Sequence, residues 1–277
     1  MNYRHAYHAG NHTEVFKHSV LCQLLLELLK KPTPFTVLDT HAGAGRYDLQ
    51  SAKSRKTGEA QNGIGIVINK DIPITSRYLD IVRSLNADGL HYYPGSPTII
   101  QALLREDDRL IACELRKDDV AILRANFKGD RRISVHCRNG FEAIGAFVPL
   151  PTRRGLVFID PPFEQRDEFE TLADQLNAGI KKWPTGIFAA WYPLKDRSGI
   201  QIARKLYRSK NPPTLCCEFL REPIDGLTLA GSGLVICNPP WRLDEKLAKL
   251  CSSLASAFNA PKAQWSIDWW IKERGSI

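Results

Sequence analysis

The sequence predicts an α/β fold: a mainly parallel, seven-stranded sheet with helices on both faces. Three observations predict it. Short apolar, β-prone runs alternate with helix-length segments over most of the chain, the rhythm of strand–helix–strand units. The run at 155–160 is strongly apolar, as a strand covered on both faces must be. The run Phe35-Thr-Val-Leu-Asp39 enters a glycine-rich turn, which marks a strand–loop–helix passage.

The elements follow in order. Met1–Gly10 is aromatic and rich in histidine. A helix is expected over residues 11–30, with Val15, Val20, Leu24, Leu25 and Leu28 on one broad face; Asn11 or Thr13 caps its start and Pro32 follows its end. The first strand covers 35–39. Residues 48–93 are more polar and lack strand periodicity, and read as an inserted helical subdomain with a helix near 72–85. The rhythm then resumes with strands at 110–114, 133–136, 155–160, 186–192, 215–220 and 234–238. Helices are expected at 117–127, 141–147, 169–181 and 199–210. No repeat or low-complexity tract interrupts them, so residues 1–277 are read as one domain carrying the insertion.

Composition narrows the class. The 277 residues are 43% hydrophobic and 25% charged, which suits an ordinary globular core. The longest apolar stretch near the start is too short to span a bilayer, and residues 4–18 are charged and polar where a signal peptide needs an apolar run. A cytoplasmic protein, with no membrane partner, is expected. The seven cysteines are odd in number and form no C-x-x-C pair, so neither a disulfide framework nor a zinc site is indicated. His5, His8 and His12 have helix-like spacing, but Gly10 and Asn11 between them favour a turn, and no metal is expected. The formal charge of +8 favours a polyanionic partner.

Three motifs carry chemistry. Asp39-Thr-His-Ala-Gly43-Ala-Gly45 follows the first strand, where glycines let the backbone approach a ligand; a third glycine at dinucleotide spacing is missing. Glu114 ends the next strand, where a carboxylate can accept from both hydroxyls of a ribose. Asp160-Pro-Pro-Phe163 ends the most apolar strand and is the most specific of the three. Its prolines fix the backbone and leave carbonyls free. An ionised Asp160 is a pure acceptor and an adenine N6 amine is a donor, so the carboxylate and the Pro161 carbonyl can each hold one N6 hydrogen. Phe163 offers a face for a base to stack on.

In this order the motifs resemble the Rossmann-like class I methyltransferases that act on amines, whose signature is [DNS]-P-P-[YFW]. Tyr3-Arg-His5, His8-Ala-Gly-Asn11-His12, Lys17-His18, the run from Leu38 to Tyr47, Tyr93-Pro-Gly-Ser-Pro97, Cys113-Glu-Leu115, Asp160-Pro-Pro162 and Asn238-Pro-Pro-Trp241 narrow the resemblance to the RlmJ (YhiR) family, over nearly the whole chain. The resemblance implies an S-adenosylmethionine-dependent methyltransferase that modifies N6 of an adenine in 23S ribosomal RNA and releases S-adenosylhomocysteine. It implies that His18, His41, Ser96, Glu114, Asn139, Gly140 and Asp160 line the cofactor pocket, to which the glycine-rich motif adds Asp39 and Gly43. Asp160 is then the catalytic residue, while Tyr3, His5 and Lys17 act at the RNA side with Pro161 and Phe163. Asn139-Gly140 stands where the family has Asp-Gly; the amide oxygen of Asn139 is expected to take over contact with the cofactor's adenine. A monomer is expected.

Two rival sites remain. Asn238-Pro-Pro-Trp241 matches the same signature, but it ends a late strand and is expected to be a structural turn near the site. The pairs Arg131-Arg132, Arg153-Arg154 and Lys181-Lys182 are either solvated surface or phosphate contacts on one rim. A DNA adenine methyltransferase and a protein-glutamine methyltransferase share the loop chemistry and stay open as alternatives.

Overall fold

Asn11 opens the first long helix. Its extended backbone and its side-chain oxygen, which accepts the Glu14 N–H at 2.9 Å, satisfy a donor that the helix start leaves unpaired. The computed structural model describes residues 5–165, 167–208 and 211–272. Helix α1 spans His12–Leu29 and is buried almost all round, including Glu14, Lys17, His18, Ser19 and Gln23. The expected single apolar face is thus a core helix, because other elements enclose it on several sides. One of these is α4 (Ser76–Ser84), another α5 (Ser96–Leu103), another α10 (Leu243–Ala257), and a fourth the strand β9 (Gly231–Cys237).

The remaining strands are β1 (Thr36–Asp39), β2 (Arg46–Asp48), β3 (Tyr92–Pro94), β4 (Arg109–Glu114), β5 (Ile133–Cys137), β6 (Gly155–Ile159), β7 (Ile187–Leu194), β8 (Thr214–Leu220) and β10 (Gln264–Ile271). Among the described residues, eight form one sheet in the order β10-β8-β9-β7-β6-β1-β4-β5. The five strands β5, β4, β1, β6 and β7 run parallel. Strand β9 turns antiparallel to β7 and β8, and β10 is antiparallel to β8. This is the Rossmann-like class I methyltransferase sheet, with one strand more than the seven expected. The eighth strand escaped the sequence reading although Trp265, Ile267 and Trp269 alternate with Gln264, Ser266 and Asp268; it lies on the edge of the sheet with no position fully buried. Helix α10, which leads into it, was also missed, although Leu243, Leu247, Leu250 and Leu254 recur at helical spacing and are buried.

Alternation along each strand sends residues to two cores. Val37, Leu110, Leu156 and Leu234 face α1, α5 and α10. Leu38, Ile111, Val157 and Val235 face α7 (Gly140–Phe147), α8 (Glu168–Lys182) and α9 (Ile200–Arg208). Helix α6 (Lys117–Asn126) packs through Leu123 on the α1 side. Strands β2 and β3 pair antiparallel, with Tyr47 opposite Tyr93. The chain between them holds α2 (Ala52–Thr57), α3 (Ile64–Val67), a 3-10 turn at Pro73–Thr75 and α4. Among the described residues no helix is long and apolar enough to cross a membrane.

Candidate active site

The carboxyl ends of β1, β4, β5 and β6 open into a cavity of about 610 Å³, walled on one side by the start of α1. Each strand end delivers one motif. After β1, the Ala42 N–H is held by the Cys113 carbonyl at 2.8 Å, and Gly43 takes a left-handed φ of 60°. A Cβ on Gly43 would lie 2.1 Å from the Tyr47 hydroxyl, so only glycine keeps this turn tight. After β4, the Glu114 carboxylate accepts the Gly43 N–H at 2.9 Å and the Arg116 N–H at 2.7 Å. Burial raises its pKa, with these N–H groups opposing.

After β5, Asn139 caps α7. Its Oδ1 accepts the N–H groups of Phe141 at 2.9 Å and Glu142 at 3.3 Å. Gly140 lies close against the β1 loop: a Cβ there would come within 2.3 Å of the Thr40 carbonyl. After β6 comes Asp160, then Pro161 and Pro162. Phe163 sits at φ 50°, a left-handed conformation that bulky side chains rarely adopt. Its ring meets Phe169 at 4.7 Å and Trp191 at 5.8 Å between centroids.

The opposite wall is charged. Lys17 donates to Asp160 and pairs with Glu14, and its ammonium lies 5.2 Å from the centre of the Trp191 ring. Burial by itself would neutralise this lysine; Asp160 and Glu14 outweigh it and hold the ammonium charged. Burial raises the Asp160 carboxyl against the pull of Lys17. Glu14 accepts from His5 Nε2 at 2.7 Å. His18 Nδ1 meets the Tyr93 hydroxyl at 2.8 Å, which in turn meets Tyr78 at 3.0 Å. Burial lowers His18 to about 3, so its imidazole is neutral.

The cavity therefore gathers His5, Lys17 and His18 on one wall. His41, Gly43, Ser96 and Glu114 line another part of it, and Asn139, Gly140, Asp160, Pro161 and Phe163 complete it. Asp39 is fully buried, apart from the cavity-lining residues, with the Ser96 side chain and the His41 backbone beside it. Burial pushes its carboxyl up to about 7, with Ser96 opposing. Tyr3 lies outside the described residues. The expected contact of the Asn139 oxygen with an adenine is displaced by geometry: both lone pairs of that oxygen already serve the helix cap, which leaves the amide N–H groups for any other contact.

Glu14 and Trp191 also line the cavity and were not anticipated. Glu14 looks like an ordinary acidic residue in a first helical turn, and Trp191 like core in a strand. The rival motif lies elsewhere. Strand β9 runs against β7, so Asn238 emerges at the opposite edge of the sheet, not near the site; its Nδ2 donates to the carbonyls of Pro184 and Gly186 at 2.7 Å. Arg132, Arg154 and Lys182 precede parallel strands and share that far edge. Their donors go to Asp130 and Leu104, to Leu28 and Thr33, and to Gly145. The histidines separate too: His8 bonds Glu59 at 3.0 Å while His5 bonds Glu14.

The donor set fits a nucleoside with a cationic side chain. Glu114 keeps acceptor capacity for a diol, and the loop at Gly43 and Gly140 leaves no room for a Cβ.

A family model described as "Ribosomal RNA large subunit methyltransferase D, RlmJ" matches residues 32–271. The chain is 39% identical to Ribosomal RNA large subunit methyltransferase J of Haemophilus influenzae, over 97% of this chain and 98% of that one. It is 37% identical to the protein of the same name from Escherichia coli, over 99% of this chain and 100% of the relative. The crystal structure of a Legionella pneumophila protein, at 30% identity, superposes with a TM-score of 0.88 over 95% of this chain and 98% of that chain.

Proposed function

The chain belongs to the RlmJ family of ribosomal RNA large subunit methyltransferases, and from that premise we propose that it methylates N6 of an adenine in 23S ribosomal RNA. S-adenosylmethionine supplies an electrophilic methyl group on a sulfonium. Glu114 would hold its ribose, and the backbone at Gly43 and Gly140 its close-lying parts. His41, Ser96 and Asp39 would complete that side.

The observation that carries the reading is Asp160. It is a carboxylate at the end of a buried parallel strand, followed by two prolines, in a cavity that also holds Lys17 and the rings of Phe163 and Trp191. An aromatic amine is a weak nucleophile because its lone pair spreads into the ring. Asp160 and the Pro161 carbonyl would each accept one N6 hydrogen and turn the lone pair out of conjugation toward the methyl. Fixing that approach supplies much of the acceleration. Asp160 would also stabilise the positive charge that grows on nitrogen. A stacked adenine cannot reach the carboxylate, so the base must leave its helix. Phe163 and Trp191 give it aromatic surface to rest on, and His5 and Lys17 flank its entry. Tyr3 is assigned to the same RNA side.

Labelled S-adenosylmethionine and 23S RNA lacking N6-methyladenosine test the proposal, with mass spectrometry of the digested nucleosides. One N6-methyladenosine is expected, and Asp160→Ala should lower turnover by roughly 10²–10³-fold while the variant stays folded. Methylation of matched DNA or of a glutamine-bearing protein, with none in RNA, would replace the proposal with one of those activities.

A further inference from the structure

Glu14 stands at the third position of α1, where an acidic side chain ordinarily reaches back to the N–H of the capping residue. Here that N–H is taken by the His8 carbonyl at 3.1 Å. The Glu14 carboxylate turns inward instead, with 3% of the residue exposed. There it accepts from His5 at 2.7 Å and pairs with Lys17, and His18 Nε2 lies 3.9 Å away. Burying a carboxylate is costly, and here one oxygen serves His5 while the other serves Lys17. The charge itself therefore requires an account.

Lys17 is shared. Its ammonium contacts Asp160 on one side and Glu14 on the other, so two carboxylates face one ammonium. Without Glu14, Lys17 and Asp160 would be a closed one-to-one pair. With it, the wall carries a second carboxylate next to the place where Asp160 meets its substrate, faced by Lys17 on one side and His5 on the other. This bears on the ligand if the site takes S-adenosylmethionine, the reading on which the inference rests: that donor carries a sulfonium charge and its thioether product does not.

We infer that Glu14 is a positioning residue which, beside Lys17 and Asp160, adds negative charge to the site and makes it favour the cationic methyl donor over the neutral product. In a poorly hydrated wall, one charge about 10 Å from another changes binding roughly tenfold. Glu14 needs no contact with the ligand for this, which sets it apart from Asp160.

Calorimetric titration of the full chain with S-adenosylmethionine and with S-adenosylhomocysteine tests it without turnover. Glu14→Gln should lower the preference for the donor, read as the ratio of the two Kd values, by roughly tenfold, chiefly by weakening the donor; Glu14→Asp should keep that ratio within about twofold of wild type. Glu14→Asp keeps both the charge and the two acceptor oxygens, so it separates the charge from the loss of a hydrogen-bond partner. Equal changes for both ligands in Glu14→Gln, or a Glu14→Asp ratio that falls as far as that of Glu14→Gln, would overturn the inference. Failure of the wild type to bind either ligand would instead overturn the cofactor reading beneath it.

Discussion

Asn139 shows how much one atom decides. Its oxygen is committed to the start of α7, so the amide presents donors to the cavity. Asn139→Ala removes the cap and should cost about 1 kcal/mol of stability, measurable by urea unfolding. Asn139→Asp should keep the cap through one oxygen and free the other as an acceptor, tightening nucleoside binding without loss of stability. If Asn139→Ala unfolds at the wild-type denaturant concentration, the cap is not what holds the helix start. At this scale, what the sequence made readable was local. Asp160-Pro-Pro and the glycines at 43 and 45 announce themselves because the constraint is in the backbone of the motif. Glu14 and Trp191 do not. Their importance comes from Asp160, 143 residues beyond Lys17, and no spacing within α1 or β7 points there.

Among the elements, those with clear periodicity were legible and those defined by their neighbours were not. The buried parallel strands stood out as apolar runs. Strand β10 alternates as a strand does, but it has a single partner and no fully buried position, so no long apolar run marks it. Helix α1 shows the reverse error: its apolar residues were read as one broad face, yet Glu14, Lys17 and Asp160 pair inside and the helix is enclosed. Its apolar side chains should then behave as core. Leu24, fully buried, is the test: Leu24→Ala should cost about 2–5 kcal/mol, seen as a lower urea midpoint at unchanged slope. A loss under about 1 kcal/mol would mean that α1 packs more loosely than its burial indicates.

For the molecule as a whole, two buried groups pull the pH dependence of stability in opposite directions. Burial raises Asp39 from its ordinary 3.8 to about 7, so the folded chain holds a proton that the unfolded chain has lost. That contribution is full below about 4 and disappears as pH rises through about 7. Burial lowers His18 from 6.5 to about 3. Its contribution is full above about 6.5 and is lost as pH falls toward 3. Asp39→Asn removes only the first, so its stability relative to wild type should climb between about pH 4 and pH 7 and then level off. Urea titrations across that range check the sign; a constant difference would show that Asp39 is ionised in the folded chain throughout.

The pairing of Lys17 with Asp160 also has a consequence for the order of synthesis. The wall that carries Glu14, Lys17 and His18 is made first, yet α1 packs on β9 and α10, which are made last. While the chain is still growing, a helix whose leucines, valines and phenylalanine need cover has no late elements to cover them, and such exposed surface invites misassociation. The pocket closes only after the last strands have left the ribosome, so a nascent chain carries the first wall of its site long before it has a site.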